Sequence, residues 1–260
     1  MDGELREFLS RQGVQPNVRF NTDWLDVGHV DEFMTIVPNP NATHGWTVLL
    51  ADPGLALSIL VDGSLQVPRY GDYGITAPVT LSTLLASETS YPNDGNTTIE
   101  QYNAAGGVVQ TALDALESRI IQEFGLVDSE DLVHAPVLFD AVEEYTGGPS
   151  KALAITPGLV NGCVYGNTFI APDPFLHEPA EQNANSSGRL DASEGAGGIS
   201  ALDTAADPFQ AWFSSNMPAG VSVQYIDDWF LYHMLAGEVH CSSNDKRTIP
   251  SGPKWWESVP

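Results

Sequence analysis

The sequence has few basic side chains. Ten lysines and arginines stand against 34 aspartates and glutamates in 260 residues, which gives a formal net charge of −24. The imbalance runs along the whole chain, since residues 1–130 carry −13 and residues 131–260 carry −11. A field of this sign repels phosphate-rich partners and attracts cations, so nucleic-acid binding is excluded. An apolar content of 42% and a charged content of 17% are globular values, which excludes a disordered acidic chain.

The sequence also lacks an apolar run of the roughly 18 residues that a membrane-spanning helix requires. Its opening residues, Met1–Glu7, contain neither the basic start nor the apolar stretch of a signal peptide. We therefore expect no membrane partner and a cytoplasmic location. Three Asn-x-Ser/Thr sequons, at Asn41, Asn96 and Asn185, leave export open.

Cysteine is scarce as well. Cys163 and Cys241 are too few for a disulfide framework and lack the spacing of a metal finger. The six histidines never show the close pairing of a zinc site. The acidic pairs Asp227-Asp228 and Glu143-Glu144 are interpreted as solvated faces rather than as calcium ligands. The sequence alone thus assigns no metal ligands.

What the sequence does contain is an alternation of helical and extended patterns, which predicts an α/β protein. Leu5 and Leu9, spaced i,i+4, predict a short helix over residues 2–12. The strongest helical pattern is residues 108–124, with one apolar face and Gly125 as its stop. Strands are predicted at 33–38, 46–51, 152–155, 162–165 and 168–171, and again from Val221.

The chain is long enough for one large domain or two small ones, and we interpret residues 1–260 as one. Residues 178–208 contain no aromatic side chain and consist mainly of small and polar residues. Because strand-like sequence resumes afterwards, this stretch is predicted to be a flexible insertion within the domain rather than a domain boundary.

One internal repeat links the two ends of the chain. Val18–Leu25 and Val223–Phe230 share a valine, an aromatic residue, an aspartate, a tryptophan and a large apolar residue in register. Each block leads to a Gly-x-Val-x element, Gly28–Asp31 and Gly237–Cys241. The repeat predicts a radial fold of ββαβ units that deliver polar residues to one centre. The alternative is two ordinary strand-turn segments that share a tryptophan anchor.

If both elements are extended, His29 and Asp31 lie on one face, while His240 points away from Cys241. The repeat then predicts that Cys241 meets His29 and Asp31 rather than its neighbour His240. A cysteine with a histidine and a carboxylate is a nucleophile constellation. Taken singly, Cys241 also fits a small core residue, and His29-x-Asp31 also fits a hydrogen-bonded surface pair.

These motifs resemble the C-terminal part of a protein-arginine deiminase catalytic domain. The residues that carry the resemblance are Gly28–Phe33, Gly237–Cys241 with Asn244, Lys254–Pro260, Asp23–Val27, Asp228–His233 and, more weakly, Pro157–Asn161 through Pro174-Phe175. The resemblance implies a pentein fold, an α/β propeller of five ββαβ modules around a central site. It also implies hydrolysis of peptidyl arginine to citrulline and ammonia, normally with calcium as cofactor.

Matched to the family's motifs, Cys241 is the nucleophile, His29 the general acid/base, and Asp31 one of two carboxylates that bind the guanidinium. The implied partner is an arginine-containing protein or peptide, and homo-oligomers stay open. Nearby Asp31 should raise the pKa of the Cys241 thiol in the empty site, and a bound cation should lower it.

The chain departs from the family pattern upstream of these motifs. Only 28 residues precede His29, and none of their carboxylates matches the family's second substrate aspartate. The family's calcium ligands are expected upstream too, so we expect an incomplete deiminase domain made of the later modules only. Two alternatives stay open: a non-catalytic remnant that binds arginine peptides or acts as a scaffold, and a small-molecule guanidine hydrolase.

Overall fold

The computed structural model describes residues 3–11, 17–67, 79–90, 97–127, 131–143, 148–174, 176, 207–229 and 231–244. It contains two compact units. The first comprises Met1–Asn21 and Asn244–Pro260, and its described part holds helix α1, Gly3–Ser10. This helix buries no residue and carries an ion pair between Glu7 and Arg11. The second unit, Thr22–Ser243, holds every other element described below.

The first sheet of the second unit has the strand order β1-β2-β5. Strand β1 (Met34–Pro38) is antiparallel to β2 (Trp46–Asp52), and β2 is parallel to β5 (Leu132–Pro136). The central strand β2 is buried along most of its length, as expected for its continuous apolar run. Between β2 and β5 the chain forms α2 (Pro53–Ile59), β3 (Gln66–Val67), β4 (Val79–Thr80), α3 (Leu81–Ala86), α4 (Ile99–Asn103) and α5 (Val108–Phe124).

Helix α5 is the long helix that the sequence predicts. Its buried residues are Val109, Leu113, Leu116 and Ile120, which recur at helical spacing along one face. The helix ends at Gly125, whose backbone is left-handed with φ +65°. Glycine suits this position because it has no Cβ to clash in that conformation.

The second sheet repeats the plan of the first. Strand β8 (Cys163–Tyr165) is antiparallel to β9 (Thr168–Pro172), and β9 is parallel to β10 (Ser222–Ile226). Helix α6, Pro208–Asn216, lies between β9 and β10 in the chain and begins with an Asp207 cap. Both sheets thus have two antiparallel strands followed, after helix, by a third strand parallel to the second.

A hairpin stands between the two sheets in the chain. Strands β6 (Phe139–Glu143) and β7 (Ser150–Ala154) pair in antiparallel fashion, and Leu25 forms a parallel bridge to Ala152. The neighbouring Trp24 ring packs on Phe33 and Phe139, with ring centroids 6.2 and 5.9 Å away. The Trp24–Leu25 segment therefore occupies the third-strand position of this hairpin, although it comes earlier in the chain.

These elements confirm the mixed α/β class and the predicted strands and helices, with ends shifted by a residue or two. The predicted insertion is wrong at its C-terminal edge, because Asp207 caps α6 and Pro208 begins it. Residues 178–206 lie outside the described residues. The repeat is only partial, since Val223–Ile226 lies in β10 while residues 18–22 form neither strand nor helix. Among the described helices, none has the length and apolarity to cross a membrane.

Asp52 joins the first sheet to α2. Its carboxylate accepts the Leu55 amide at 2.8 Å as the helix cap, and its other oxygen lies 3.0 Å from His134 Nδ1 on β5. Burial opposes ionisation, but hydrogen bonds from His134 and the Leu55 amide outweigh it and hold the pKa of Asp52 below its usual range. A carboxyl with a depressed pKa stabilises the fold above its unfolded pKa and loses that contribution as pH falls.

We expect Asp52→Ala to lower the free energy of unfolding by about 1–2 kcal/mol, because the cap and the His134 contact are both lost. Asp52→Asn retains a capping oxygen and should cost less. The difference between wild type and Asp52→Asn should shrink as pH falls below about 4, where the wild-type carboxyl becomes protonated. Urea unfolding at pH 3 to 7 measures this, and a difference that stays constant across the range would contradict the role of the charge.

Candidate active site

Asp31 lies in a single 3₁₀ turn, Val30–Glu32, rather than in an extended segment. The chain enters this turn through Gly28, whose φ of +81° suits glycine, and the His29 amide donates to the Glu32 carboxylate at 2.6 Å. The condition for a shared face of His29 and Asp31, an extended backbone throughout, is therefore not met: His29 is extended, but Val30 and Asp31 lie in the 3₁₀ turn. In a tight turn, residues two apart need not share a face, so the pairing of His29 with Asp31 loses its geometric basis.

Cys241 also lies in a turn. A 3₁₀ helix, His233–Leu235, is followed by Ala236 with a left-handed φ of +61°, and the backbone then folds back over Gly237–Ser243. The Ser242 amide donates to the Glu238 carbonyl at 3.2 Å, and the Ser243 amide donates to the His240 carbonyl at 3.0 Å. The opposite facing of His240 and Cys241 was conditional on an extended segment, so it does not apply to this turn.

The carboxylate of Asp31 is the point where the site converges. Its Oδ2 atom lies 3.7 Å from Cys241 Sγ, 2.8 Å from Asn161 Nδ2 and 2.8 Å from His240 Nδ1. The Asp31 side chain retains 20% of its exposure and the His240 side chain 52%, so the carboxylate is partly desolvated while the imidazole stands at the rim. The juxtaposition of Asp31 with Cys241 that the repeat predicts is present.

Asn161 is a site residue that the sequence analysis did not single out. It is 1% exposed, and its amide nitrogen, besides donating to Asp31, lies 3.8 Å from Cys241 Sγ. Its backbone and side-chain oxygens both accept the His240 amide, at 3.1 and 3.2 Å. The next residue, Gly162, packs so closely that a Cβ there would lie 2.3 Å from the Ile170 carbonyl. This close approach fixes the loop that carries Asn161.

His29 is exposed, and among the described residues no hydrogen bond or ion pair joins its ring to Cys241 or Asp31. The imidazole on the Asp31 carboxylate belongs to His240 instead. The structure thus brings two of the three predicted residues together, and within its described part the His29 ring makes no hydrogen bond to either of them.

The electrostatics of the site disfavour a free thiolate. Burial and the negative charge of Asp31 raise the pKa of Cys241, against hydrogen bonds from the Glu238 backbone and Asn161 that lower it. Protonation of Cys241 is therefore favoured when the site is empty, and a cation placed between the sulfur and the carboxylate would favour ionisation.

A buried acidic cluster lies beneath the Cys241 turn. Asp228 is 2% exposed and Glu238 is 7% exposed, and His233 Nδ1 lies 2.7 Å from Glu238 Oε1. The interpretation of Asp228 as part of a solvated acidic face is therefore wrong, whereas its neighbour Asp227 is exposed. Burial and the neighbouring carboxyl raise the pKa of Asp228 to about 9, and burial raises that of Glu238 to about 8.

The calcium that the family resemblance implies does not fit the described residues. Calcium takes about six to eight oxygen ligands, mainly ionised carboxylates. The described part of the chain holds no group of three or more His, Cys, Asp or Glu side chains arranged to bind a metal ion. Asp228 and Glu238 do approach each other, but their raised pKa values of about 9 and 8 disfavour the ionised form that calcium prefers.

Comparison with known proteins agrees with the motifs at both ends of the site. The family model of protein-arginine deiminase matches residues 1–179 and 210–257, which is well over half of the chain. Protein-arginine deiminase type-4 of Rattus norvegicus is 31% identical over 261 residues, covering 98% of this chain and 33% of that protein. Protein-arginine deiminase type-3 of Homo sapiens is 32% identical over 260 residues, with the same coverage of both. The chain spans about a third of the length of these curated relatives, and it belongs to the protein-arginine deiminase family.

Proposed function

We propose that this chain supplies the nucleophile, one guanidinium-binding carboxylate and the general acid/base for hydrolysis of peptidyl arginine to citrulline and ammonia. Cys241 is the nucleophile, Asp31 is the guanidinium-binding carboxylate and His29 is the general acid/base. The observation that carries the proposal is the 3.7 Å separation of Asp31 Oδ2 from Cys241 Sγ. A carboxylate beside a nucleophile hinders reaction with an anion and helps reaction with a cation, so the pair favours a cationic electrophile.

The same family membership supports a proposal about the fold. We propose that the sheets are later modules of a pentein-type α/β propeller. The support is the shared plan of β1-β2-β5 and β8-β9-β10, each an antiparallel pair followed, after helix, by a parallel third strand. Asp31 follows the third-strand segment of the β6-β7 hairpin, and Cys241 follows β10, so both site residues come after equivalent positions.

Arginine fits the Asp31 carboxylate by charge and by shape. A guanidinium stays protonated at any working pH and presents a planar set of N–H donors that a carboxylate accepts in bidentate fashion. Because Oδ2 also accepts from Asn161 and His240, an arriving guanidinium competes with the exposed His240 ring for this oxygen. The buried Asn161 amide holds the carboxylate in place during the exchange.

The reaction then proceeds by covalent catalysis. The Cys241 thiolate attacks the guanidinium carbon, a C–S bond forms, and one C–N π pair moves onto nitrogen to give a tetrahedral adduct. His29 donates a proton to a terminal nitrogen, which leaves as ammonia and leaves a thiouronium on the cysteine. The same histidine then takes a proton from water, whose oxygen attacks the carbon. The C–S bond breaks, its electron pair returns to sulfur, the hydroxyl proton of the adduct passes to the sulfur to restore the thiol, and citrulline is released.

Citrulline formation from a blocked arginine peptide tests the nucleophile directly. We expect Cys241→Ala to abolish it, because no other described thiol faces Asp31. Cys163→Ala is the matched control, since Cys163 is buried and bonds to Ser243 instead. Ammonia release should follow citrulline, and turnover that survives Cys241→Ala would contradict the assignment.

The same assay separates the alternatives. Turnover of free arginine in preference to the blocked peptide would indicate a small-molecule guanidine hydrolase. Saturable binding of the arginine peptide without citrulline formation, at any calcium concentration, would indicate an arginine-binding remnant.

The thiol pKa gives a second test that needs no turnover. We expect the pH profile of Cys241 alkylation by iodoacetamide to shift to lower pH when an arginine analogue binds, because the cation offsets the Asp31 charge. Asp31→Asn should shift the profile in the same direction without the analogue and should remove the analogue's effect. Profiles that do not move in either experiment would show that Asp31 does not act on the thiol.

A third test distinguishes the roles of the two histidines near the site, His29 and His240. We expect His29→Gln to reduce citrulline formation by about 10²-fold or more, as loss of a general acid/base does, while alkylation of Cys241 is retained. His240→Gln is the matched control. It should change substrate affinity more than turnover, because the wild-type His240 ring competes with the guanidinium for the Asp31 carboxylate. The reverse pattern would move the acid/base role to His240.

A further inference from the structure

The Cys241 turn and the Asn161 loop are joined by a buried side chain that the proposed reaction does not use. Glu238 lies three residues before Cys241, and its Oε1 accepts the Gly158 amide at 3.2 Å, three residues before Asn161. The two segments are also joined by the His240 amide, which donates to Asn161, and by the Cys163 thiol, which donates to Ser243 Oγ at 3.2 Å. The Glu238 contact is therefore one of several that set the position of the thiol relative to the amide that orients Asp31.

His233 completes the attachment of Glu238. Its Nε2 lies 3.2 Å from the Ile155 carbonyl, and because a carbonyl only accepts, Nε2 carries the proton of this hydrogen bond. Burial lowers the pKa of His233 to about 4, so its ring is neutral and Nδ1 is an acceptor. Glu238, 2.7 Å away, is then the donor, which requires a protonated carboxyl.

Asp228 explains how a carboxyl keeps that proton. Among the described residues, both Asp228 oxygens and Glu238 Oε2 are buried without a hydrogen-bond partner apart from the neighbouring carboxyl group. Two adjacent buried carboxyls cannot both ionise, so at least one proton is retained. The charged or titratable groups that act on the pair are His233 and the exposed Asp227.

We propose that Glu238 is a positioning residue of the deiminase site: its protonated carboxyl, supported by Asp228 and His233, holds the Cys241 turn against the Asn161 loop. The inference rests on the proposed function, because it assigns Glu238 a role in presenting Cys241 to a guanidinium at Asp31. It adds a pH limit to that function, since ionisation of the cluster at alkaline pH removes the proton that Glu238 donates to His233 and leaves negative charge in a buried site, which loosens the turn.

The test compares two alkylating agents on the intact chain. Chloroacetamidine carries an amidinium cation and needs Asp31 and Cys241 in register, whereas neutral iodoacetamide needs only an accessible thiol. The ratio of the two alkylation rates at Cys241, chloroacetamidine over iodoacetamide, reports how well Cys241 and Asp31 are positioned relative to each other. A displacement of about 1 Å lowers the efficiency of a positioned reaction by up to about 10²-fold, so Glu238→Ala should lower the ratio about tenfold or more.

Two further variants separate positioning from loss of stability. Asn103→Ala removes a fully buried side chain that forms hydrogen bonds with the backbone of Ile99 and Phe139, outside the turns that carry Asp31 and Cys241. This variant should lower the thermal midpoint of unfolding but retain the rate ratio. Glu238→Gln cannot ionise, but because Oε1 makes both contacts in the wild type, its amide retains either the Gly158 contact or the His233 contact. It should lower the ratio at pH 7 by less than Glu238→Ala does and hold that ratio at pH 9.5, where the wild-type ratio falls.

The outcomes distinguish this inference from the proposed function. A wild-type protein with no preference for chloroacetamidine contradicts the proposed function and the inference with it. A wild-type preference that survives Glu238→Ala, or that Asn103→Ala lowers equally, overturns the positioning role alone. A ratio that falls at pH 9.5 in Glu238→Gln as it does in wild type overturns the pH limit.

Discussion

The site depends on one electrostatic constraint, a partly desolvated carboxylate held against a thiol. Asp31 Oδ2 lies 3.7 Å from Cys241 Sγ, and together with burial it raises the thiol pKa. On its own this contact disfavours the thiolate form of Cys241, since the thiolate and the carboxylate repel each other. In the proposed function, a guanidinium placed between the two groups offsets the carboxylate charge and favours ionisation of the cysteine.

This constraint requires a rigid frame, and the fold supplies it through loops rather than through regular elements. Asp31 follows the segment paired with β7, Asn161 follows β7 itself, and Cys241 follows β10. Each strand is fixed by its sheet, while the loops after them are fixed by buried polar contacts, of which the Glu238–Gly158 hydrogen bond is one. Polar groups buried without partners are costly, so these contacts specify the loop conformations closely.

The sequence predicted the elements better than the site, for a physical reason. The helix α5 and the strands of the two sheets follow from apolar periodicity, which burial against a core imposes directly. The convergence of Asp31 and Cys241 was anticipated from a repeat that the structure bears out only in part. The roles of Asn161, Glu238 and Asp228 could not be predicted, because nothing in the local pattern distinguishes a buried polar residue from a solvated one. In the turns at Val30–Glu32 and His240, the side chains do not alternate between two faces as they would in a strand.

The acidity of the chain acts in two opposite ways at the site. The formal charge of −24 counts every carboxyl as ionised, and the exposed ones create a field that draws cations toward the protein. Asp228 and Glu238 belong to a different class, because their raised pKa values of about 9 and 8 leave them protonated near neutrality. Were they ionised, two buried negative charges beneath Cys241 would oppose formation of the thiolate. Their neutrality therefore leaves Asp31 as the negative charge beside the sulfur, so that in the proposed function a guanidinium has one defined position there.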